Sequence, residues 1–201
     1  MLDKSANAGA HSYAERGADF YETPAVAVTA LLRAEKLPKV VWEPACGRGA
    51  IGRVLQAAGH VVYATDLVDY GYGTGGLNFL AMRRAPPRCQ CIVTNPPFKD
   101  AQAFVEKGLE LVPRVYMLLR LAFLESERRS AILDGGMLAR VLPFKSRLPM
   151  MHRDGWAGPR AGSAIAYAWF VWDTSYCGSA TIRRICWRVD AAADSGAISR
   201  R

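Results

Sequence analysis

Short apolar runs alternate with longer amphipathic segments along most of this 201-residue chain. The apolar runs predict buried strands, because each is short and is bounded by Gly, Pro or charged residues. They lie in "KVVWE", "VVYATD", "QCIVT" and "RVYMLLRLAFL". The longer segments predict helices in "AVAVTALLRAE", "GAIGRVLQAAGH", "AQAFVEKGLELV" and "ESERRSAILDGG". We expect Thr23 to cap the first helix ahead of Pro24, Gly59 to close the second and Asp100 to cap the third.

The pattern changes toward the end of the chain. Two strands, "ARVLPF" and "AIAYAWFVWDT", follow with no helix between them, and "TIRRICW" predicts one more. Alternating strands and helices form parallel sheets with right-handed crossovers, whereas strands without an intervening helix pair antiparallel. The expected fold class is therefore α/β, with a mostly parallel seven-stranded sheet, an antiparallel edge strand and helices on both faces. The segment "YGYGTGG" is expected to be a flexible loop, since its four glycines leave nothing to pack.

Length and composition indicate one domain with a full core, because 51% of the residues are hydrophobic. We expect a flexible leader at 1–16, a single domain at 17–188 and a flexible tail at 189–201. The chain has no run of about 18 apolar residues and no signal-peptide core, so a soluble, cytoplasmic protein is expected. The five cysteines include no Cys-x-x-Cys pair and the three histidines are isolated, so we expect reduced thiols and no metal site.

Positive charge is concentrated late in the chain. The formal net charge is +8, which favours a polyanionic partner, although solvated surface charge is the alternative interpretation. The loop 145–163 mixes cations with an aromatic residue, a composition suited to phosphate contact and base stacking, although an ordinary connection between strands remains open. Its candidate nucleic-acid contacts are Lys145, Arg147, Arg153, Trp156 and Arg160.

Two constellations follow strand ends and suggest chemistry. In "VVWEPACGRGAIG" a strand runs into a glycine turn and a helix, so that Gly47 and Gly49 let the backbone approach a ligand. Asp66, about 20 residues on at the end of the next strand, is placed to hold a ribose diol. A plain turn with a surface Asp is the alternative. In "TNPPF" two prolines stop a strand, because neither has an N–H for the ladder, and they leave Asn95 and Phe98 at its end.

These segments together resemble a known family. "EPACGRGAI" resembles motif I of the S-adenosylmethionine-dependent methyltransferases, "TNPPF" resembles motif IV of those that modify adenine N6, "DFYETP" resembles motif X and "GLNFL" motif III. The resemblance implies a Rossmann-like class I methyltransferase with S-adenosyl-L-methionine as cofactor. The cofactor-binding residues that it implies are Phe20, Tyr21, Thr23, Glu43, Pro44, Ala45, Cys46, Gly47, Gly49, Asp66, Leu67, Asn78 and Phe79. Motif III often has Asp where this sequence has Asn78.

The resemblance also implies a reaction, transfer of a methyl group to adenine N6 in DNA. In the family, the Asn side chain and the next carbonyl accept the two amine hydrogens, which here are the roles of Asn95 and Pro96. Pro97 would keep the loop stiff and Phe98 would stack on the flipped base. The leaving thioether is neutral, so neither a His acid nor a Cys nucleophile is required.

Several alternatives stay open at this point. The chain is similar to small phage and prophage enzymes without a separate target-recognition domain, which leaves room for a homodimer or a specificity partner. An RNA adenine methyltransferase and a protein-glutamine methyltransferase are rival enzymes, because such a site can orient any planar amine or amide nitrogen. A non-catalytic nucleic-acid-binding module is the rival from another class.

Overall fold

A seven-stranded sheet forms the centre of the computed structural model, which describes residues 22–150 and 165–188. The predicted leader and tail, and most of the predicted basic loop, lie outside the described residues. The strands are β1 (Val40–Glu43), β2 (Val61–Ala64), β3 (Cys91–Thr94), β4 (Arg114–Arg120), β5 (Leu138–Pro143), β6 (Tyr167–Asp173) and β7 (Thr181–Ile182).

The strand order across the sheet is β2-β1-β3-β4-β6-β5-β7. Strands β1 to β4 pair in parallel, β6 is antiparallel to both β4 and β5, and β7 is parallel to β5. The predicted fold class is confirmed, and the antiparallel strand β6 lies between β4 and β5 with the short β7 outermost. Because β5 runs in the same direction as β4, the carboxyl ends of β1 to β5 and of β7 share one edge of the sheet.

Helices cover both faces of the sheet. The α-helices are α1 (Ala25–Ala34), α2 (Ala50–Ala57), α3 (Ala101–Leu111) and α4 (Ser130–Leu133); 3-10 helices cover Phe79–Ala81, Phe98–Asp100, Leu121–Leu124 and Glu127–Arg129. On one face α1 and α2 bury Leu31 and Leu55 against the strands, whereas on the other α3 buries Phe104. Consecutive strand residues such as Ile92 and Val93 face opposite cores, because side chains alternate across a strand.

Two predicted helix caps differ from the structure. Helix α1 begins at Ala25 with Pro24 in the N-cap position, and Thr23 makes no capping bond because its hydroxyl is bound elsewhere. Asp100 does occupy the N-cap position of α3, but its side chain makes no capping hydrogen bond. Local sequence propensity predicted the first residue of both helices to within one position. It could not predict which distant groups the Thr23 and Asp100 side chains contact.

The segment 70–76 is a loop, as predicted, but the expectation that its glycines leave nothing to pack is wrong. Thr74 pairs with the end of β2, since its N–H donates to the Ala64 carbonyl (2.9 Å) and its carbonyl accepts from the Asp66 N–H (3.0 Å). Tyr72 packs on the start of α2, and its hydroxyl donates to Gln56 Oε1 (3.2 Å). The missing side chain of Gly73 permits this loop to pack closely on the Ala64 carbonyl, and composition alone did not predict that packing.

None of the helices in the described parts of the chain is both long enough and apolar enough to cross a bilayer.

Candidate active site

A cavity of about 370 Å³ opens at the carboxyl ends of β1, β2 and β3. In open α/β sheets this edge is where ligands bind, because the loops diverge there. Its lining includes most of the predicted catalytic and cofactor-binding residues, namely Thr23, Glu43, Ala45, Cys46, Gly47, Asp66, Leu67, Asn95, Pro96, Pro97 and Phe98. Segments far apart in the sequence are therefore brought to one site.

Asp66 ties the end of β2 to the glycine turn after β1. Its Oδ2 accepts from the Gly47 N–H (2.8 Å), and its Oδ1 accepts from the Val68 N–H (3.0 Å). A carboxylate has about four acceptor positions, so two remain for hydroxyl groups of a ligand. The carboxylate is thus held rigidly on the cavity wall in the position expected for a ribose contact.

Glu43 is a buried carboxyl group at the base of the cavity, only 1% exposed. Burial raises its pKa well above the ordinary value, the Gly52 N–H opposes this by donating to the carboxylate, and the charge of Asp66 adds to the rise. Within the described residues its Oε2 has no hydrogen-bond partner. Such an orphan acceptor is costly unless a ligand supplies a donor or a positive charge.

Cys46 lies beside this carboxyl group and also lines the cavity. Burial, and then the charges of Glu43 and Asp66, raise its pKa to about 12, and its thiol donates to the Tyr72 carbonyl (3.3 Å). The thiol is therefore protonated and poorly nucleophilic at neutral pH.

Tyr72 covers the remaining glycines of the turn. A Cβ on Gly49 would lie 2.6 Å from its ring, and one on Gly52 would lie 2.2 Å from its hydroxyl. The Arg53 guanidinium lies over the same ring, 4.8 Å from its centroid. The absence of a side chain at Gly49 therefore leaves room for the Tyr72 ring, and Gly49 is not among the residues that line the cavity.

Asn95 stands at the end of β3, where the two prolines turn the chain away from the sheet. Its Nδ2 donates to Thr23 Oγ1 (3.1 Å), and Thr23 is only 5% exposed. A side-chain amide fixed through Nδ2 has a defined position for its acceptor oxygen. Thr23 thus contributes to the orientation of Asn95, a role that the sequence did not predict.

Phe98 lines the cavity next to Asn95 and packs beneath a cation. The Arg120 guanidinium, at the end of β4, lies 4.1 Å from the Phe98 ring centroid, and the Tyr167 ring lies 6.1 Å away at an angle of 39°. Among the described residues, Arg120 Nε is buried without a hydrogen-bond partner. The ring therefore lies against a guanidinium that is electrostatically attracted to its aromatic face.

Not every predicted contact reaches the cavity. Phe79 is buried between Trp42 and Phe104, with ring centroids 5.1 Å and 4.8 Å away, so it belongs to the core. Asn78 caps the short helix after it by accepting from the Leu80 N–H (3.0 Å). Pro44, like Gly49, is buried and lies behind the lining. Five predicted residues, Phe20, Tyr21, Arg153, Trp156 and Arg160, lie outside the described residues.

The cavity also contains residues that sequence reasoning missed, namely Glu22, Arg48, Ala50, Ile51, Val68, Tyr70, Lys99 and Asp100. Most of them directly adjoin a predicted residue, so widening each motif by a residue or two would have found them. No three His, Cys, Asp or Glu side chains come together as a metal site in the described parts of the chain.

The architecture is similar to those of several solved structures. A proposed RNA methyltransferase from Pyrococcus horikoshii is 16% identical, with a TM-score of 0.54 and coverage of 76% of this chain and 85% of that one. A proposed class I S-adenosylmethionine-dependent methyltransferase from Listeria monocytogenes is 11% identical, with a TM-score of 0.55 and coverage of 79% and 62%. The fold is that of the class I methyltransferases.

A third structure of this methyltransferase fold belongs to a multi-subunit system. The modification subunit of a proposed type I restriction enzyme from Vibrio vulnificus is 16% identical, with a TM-score of 0.53. The match covers 89% of this chain, which spans about half (49%) of that subunit. No protein-family model matches the sequence, and no curated protein matches it.

Proposed function

We propose that this protein transfers a methyl group from S-adenosyl-L-methionine to the exocyclic N6 amine of adenine in DNA. The observation that most supports this is the position of Asn95, which opens into the same cavity as Gly47 and Asp66 and is held there by Thr23. This position would bring an amide acceptor and a nucleoside-binding pocket together in one site, which supports the proposal.

The cavity suits the cofactor chemically. Its carboxylates, from Glu22, Glu43, Asp66 and Asp100, outnumber its cations, Arg48 and Lys99. A ligand with a sulfonium and an ammonium group fits that excess, and the orphan Oε2 of Glu43 is an acceptor for such a group. Asp66 would hold the ribose hydroxyls, and Gly47 leaves room for close approach. When bound, the cofactor supplies an electrophilic methyl group on sulfur.

The roles of the protein groups follow from the chemistry of adenine. The lone pair of its amine is delocalised into the ring, so the nitrogen is a poor nucleophile until its hydrogens are bound out of the ring plane. The Asn95 side-chain oxygen and the Pro96 carbonyl would accept those two hydrogens. Neither group titrates, so the site acts by orientation and by electrostatic preorganisation without a general base, and the methylated nitrogen would release its extra proton to water as the neutral thioether departs. Cys46 takes no part, since its raised pKa keeps it protonated.

Phe98 would stack on the face of the target base, an interaction worth about 1–3 kcal/mol in nucleic-acid sites. The Arg120 guanidinium lies 4.1 Å from the centroid of this ring and would help to hold the stacking surface in place. We further propose cytoplasmic action, in a bacterium or in a bacterium infected by a phage, and a homodimer or specificity partner as the source of sequence selectivity.

The proposal is tested by offering labelled S-adenosylmethionine and four substrates in parallel: duplex DNA, single-stranded DNA, RNA and a glutamine-containing protein mixture. Wild type is compared with Asn95→Ala and with Gln90→Ala. Gln90 is a matched control, because it is an exposed amide just before β3, at the opposite end of the strand from Asn95.

We expect label in DNA with wild type and with Gln90→Ala, and at least a hundredfold less with Asn95→Ala, in line with the loss of an orienting catalytic group. Cofactor affinity, measured by calorimetry, is expected to stay within a few-fold in Asn95→Ala. Label found only in RNA or only in protein would show that this polymer, and not DNA, is the substrate. Full activity in Asn95→Ala would reject the proposed site.

A further inference from the structure

Two extended segments continue beyond β5 and β7 at the edge of the sheet that bears the candidate active site. The Ile185 N–H donates to the Pro143 carbonyl (2.9 Å), and the Lys145 N–H donates to the Ile185 carbonyl (2.8 Å). Trp187 Nε1 donates to the Ser146 carbonyl (3.0 Å). These bonds fix 144–147 and 183–188 side by side, so their side chains have defined positions.

One side of this pair is anchored in the core. Phe144 and Trp187 pack against the cluster below α1, and Ile185 is buried in it. Side chains alternate along extended backbone, so the residues between these anchors point away from the core. The outward cations, which we name the basic ridge, are Lys145, Arg147, Arg184 and Arg188, and all four are exposed.

Within the described residues, no acidic side chain compensates the charges of the basic ridge. None of its four cations forms an ion pair in the described residues, and 143–147 and 182–188 contain no acidic residue. The neighbouring cations differ, since Arg140 and Arg183 both bind Glu35, at 2.8 Å and 3.0 Å. Four like charges on two adjacent segments repel one another, and bound anions relieve that repulsion.

The basic ridge is placed to act together with the candidate active site. Both lie at the carboxyl edge of the sheet, and β5 and β7 are three and four strands away from β3, about 14 Å and 19 Å at the usual strand spacing. A duplex advances about 3.4 Å per base pair. The basic ridge therefore lies about four to six base pairs from a nucleotide inserted at Asn95.

We infer that the basic ridge binds the phosphate backbone of the nucleic acid that flanks the target base. This inference rests on the proposed function, because the basic ridge would bind the same nucleic acid that carries the target adenine. It adds Arg184 and Arg188 to the phosphate contacts expected from the sequence. The Arg188 guanidinium also lies 5.2 Å from the Trp187 ring centroid, which holds the cation at the surface.

The test compares Arg184→Gln/Arg188→Gln with Arg83→Gln/Arg84→Gln, a control of equal net charge. Arg83 and Arg84 are exposed on the loop between β2 and β3, away from the basic ridge. Binding to a labelled DNA duplex is measured by fluorescence anisotropy over a series of salt concentrations, without cofactor. Melting temperatures confirm that each variant is folded.

Each phosphate contact contributes about 0.9 to the slope of log affinity against log salt, so the ridge variant is expected to lose about 1.8 from that slope. The control is expected to keep the wild-type slope. Equal losses in both variants, no loss in either, or equal binding of polyglutamate by wild type would overturn the inference.

The measurement also separates this inference from the proposed function. Anisotropy needs no methyl transfer, so a ridge-dependent slope in a protein that methylates nothing would uphold the inference and reject the activity. Methylation of DNA by wild type, together with an unchanged salt slope in the ridge variant, would uphold the activity and reject the inference.

Discussion

Replacing Thr23 by valine tests whether a buried hydroxyl orients the amide of Asn95. The hydroxyl oxygen accepts from Asn95 Nδ2 at 3.1 Å, and Thr23 is almost fully buried beside the cavity. Valine has the same shape but no acceptor, so the substitution removes this contact with little change in packing. Thr23→Ser keeps the hydroxyl and loses one methyl group, which makes it the matched control.

The expected magnitude follows from the cost of a buried polar group that loses its partner, about 1–3 kcal/mol. For a chain of this length each kcal/mol shifts the melting temperature by about 2–4 °C, so Thr23→Val should melt about 2–12 °C below wild type. If the same free energy were added to the activation barrier, because the amide must be reoriented during the reaction, methyl transfer would slow about 5- to 150-fold.

Two measurements decide the outcome. Melting by circular dichroism reports the hydrogen bond itself, and single-turnover methyl transfer to DNA reports the orientation of the amide. We expect Thr23→Ser to remain close to wild type in both. Wild-type transfer by a folded Thr23→Val protein would refute the orienting role, whereas a lower melting temperature alone would show that the contact is merely structural.

Three further predictions concern neighbouring groups. Because the pKa of Glu43 is raised on folding, its contribution to stability is full below its ordinary value of 4.5 and is lost as pH rises. Glu43→Gln should therefore gain melting temperature over wild type as the pH of the series rises above about 5. A Cβ at Gly52 meets the Tyr72 hydroxyl, so Gly52→Ala should cost about 1–3 kcal/mol in urea unfolding, and Tyr72→Phe should recover part of that loss. Arg120→Met should keep or raise the melting temperature, because among the described residues Nε is buried without a hydrogen-bond partner. The same substitution should slow methyl transfer about 3- to 30-fold, because Phe98 loses its contact with the guanidinium. Equal rates of methyl transfer in the variant and in wild type would contradict this.

Strand and helix periodicity was sufficient to predict the fold, and the reason is visible in the packing. Ile92 and Val93 are adjacent in β3 and enter cores on opposite faces, as a continuous apolar run between helices requires. The glycine turn and the proline-stopped strand could also be located, since both occur at the carboxyl ends of parallel strands, and such ends meet at one edge.

Contacts between distant segments could not be predicted in this way. The bond from Asn95 to Thr23 joins residues 72 positions apart, and no local pattern distinguishes it from a helix cap at Thr23. The same holds for Tyr72, whose loop reads as flexible although the tyrosine fits against two glycines of the turn. The burial of Phe79 between Trp42 and Phe104 could not be predicted either, because a motif position does not reveal which distant rings a side chain packs against.

The central claim is that Asn95 and Pro96 present the N6 amine of adenine to the methyl donor. Nucleoside mass spectrometry of duplex DNA incubated with the protein and isotopically labelled S-adenosylmethionine tests it most directly. We expect labelled N6-methyladenine with wild type and with Gln90→Ala, and none with Asn95→Ala. Label confined to another nucleoside, or N6-methyladenine formed equally well by Asn95→Ala, would contradict it.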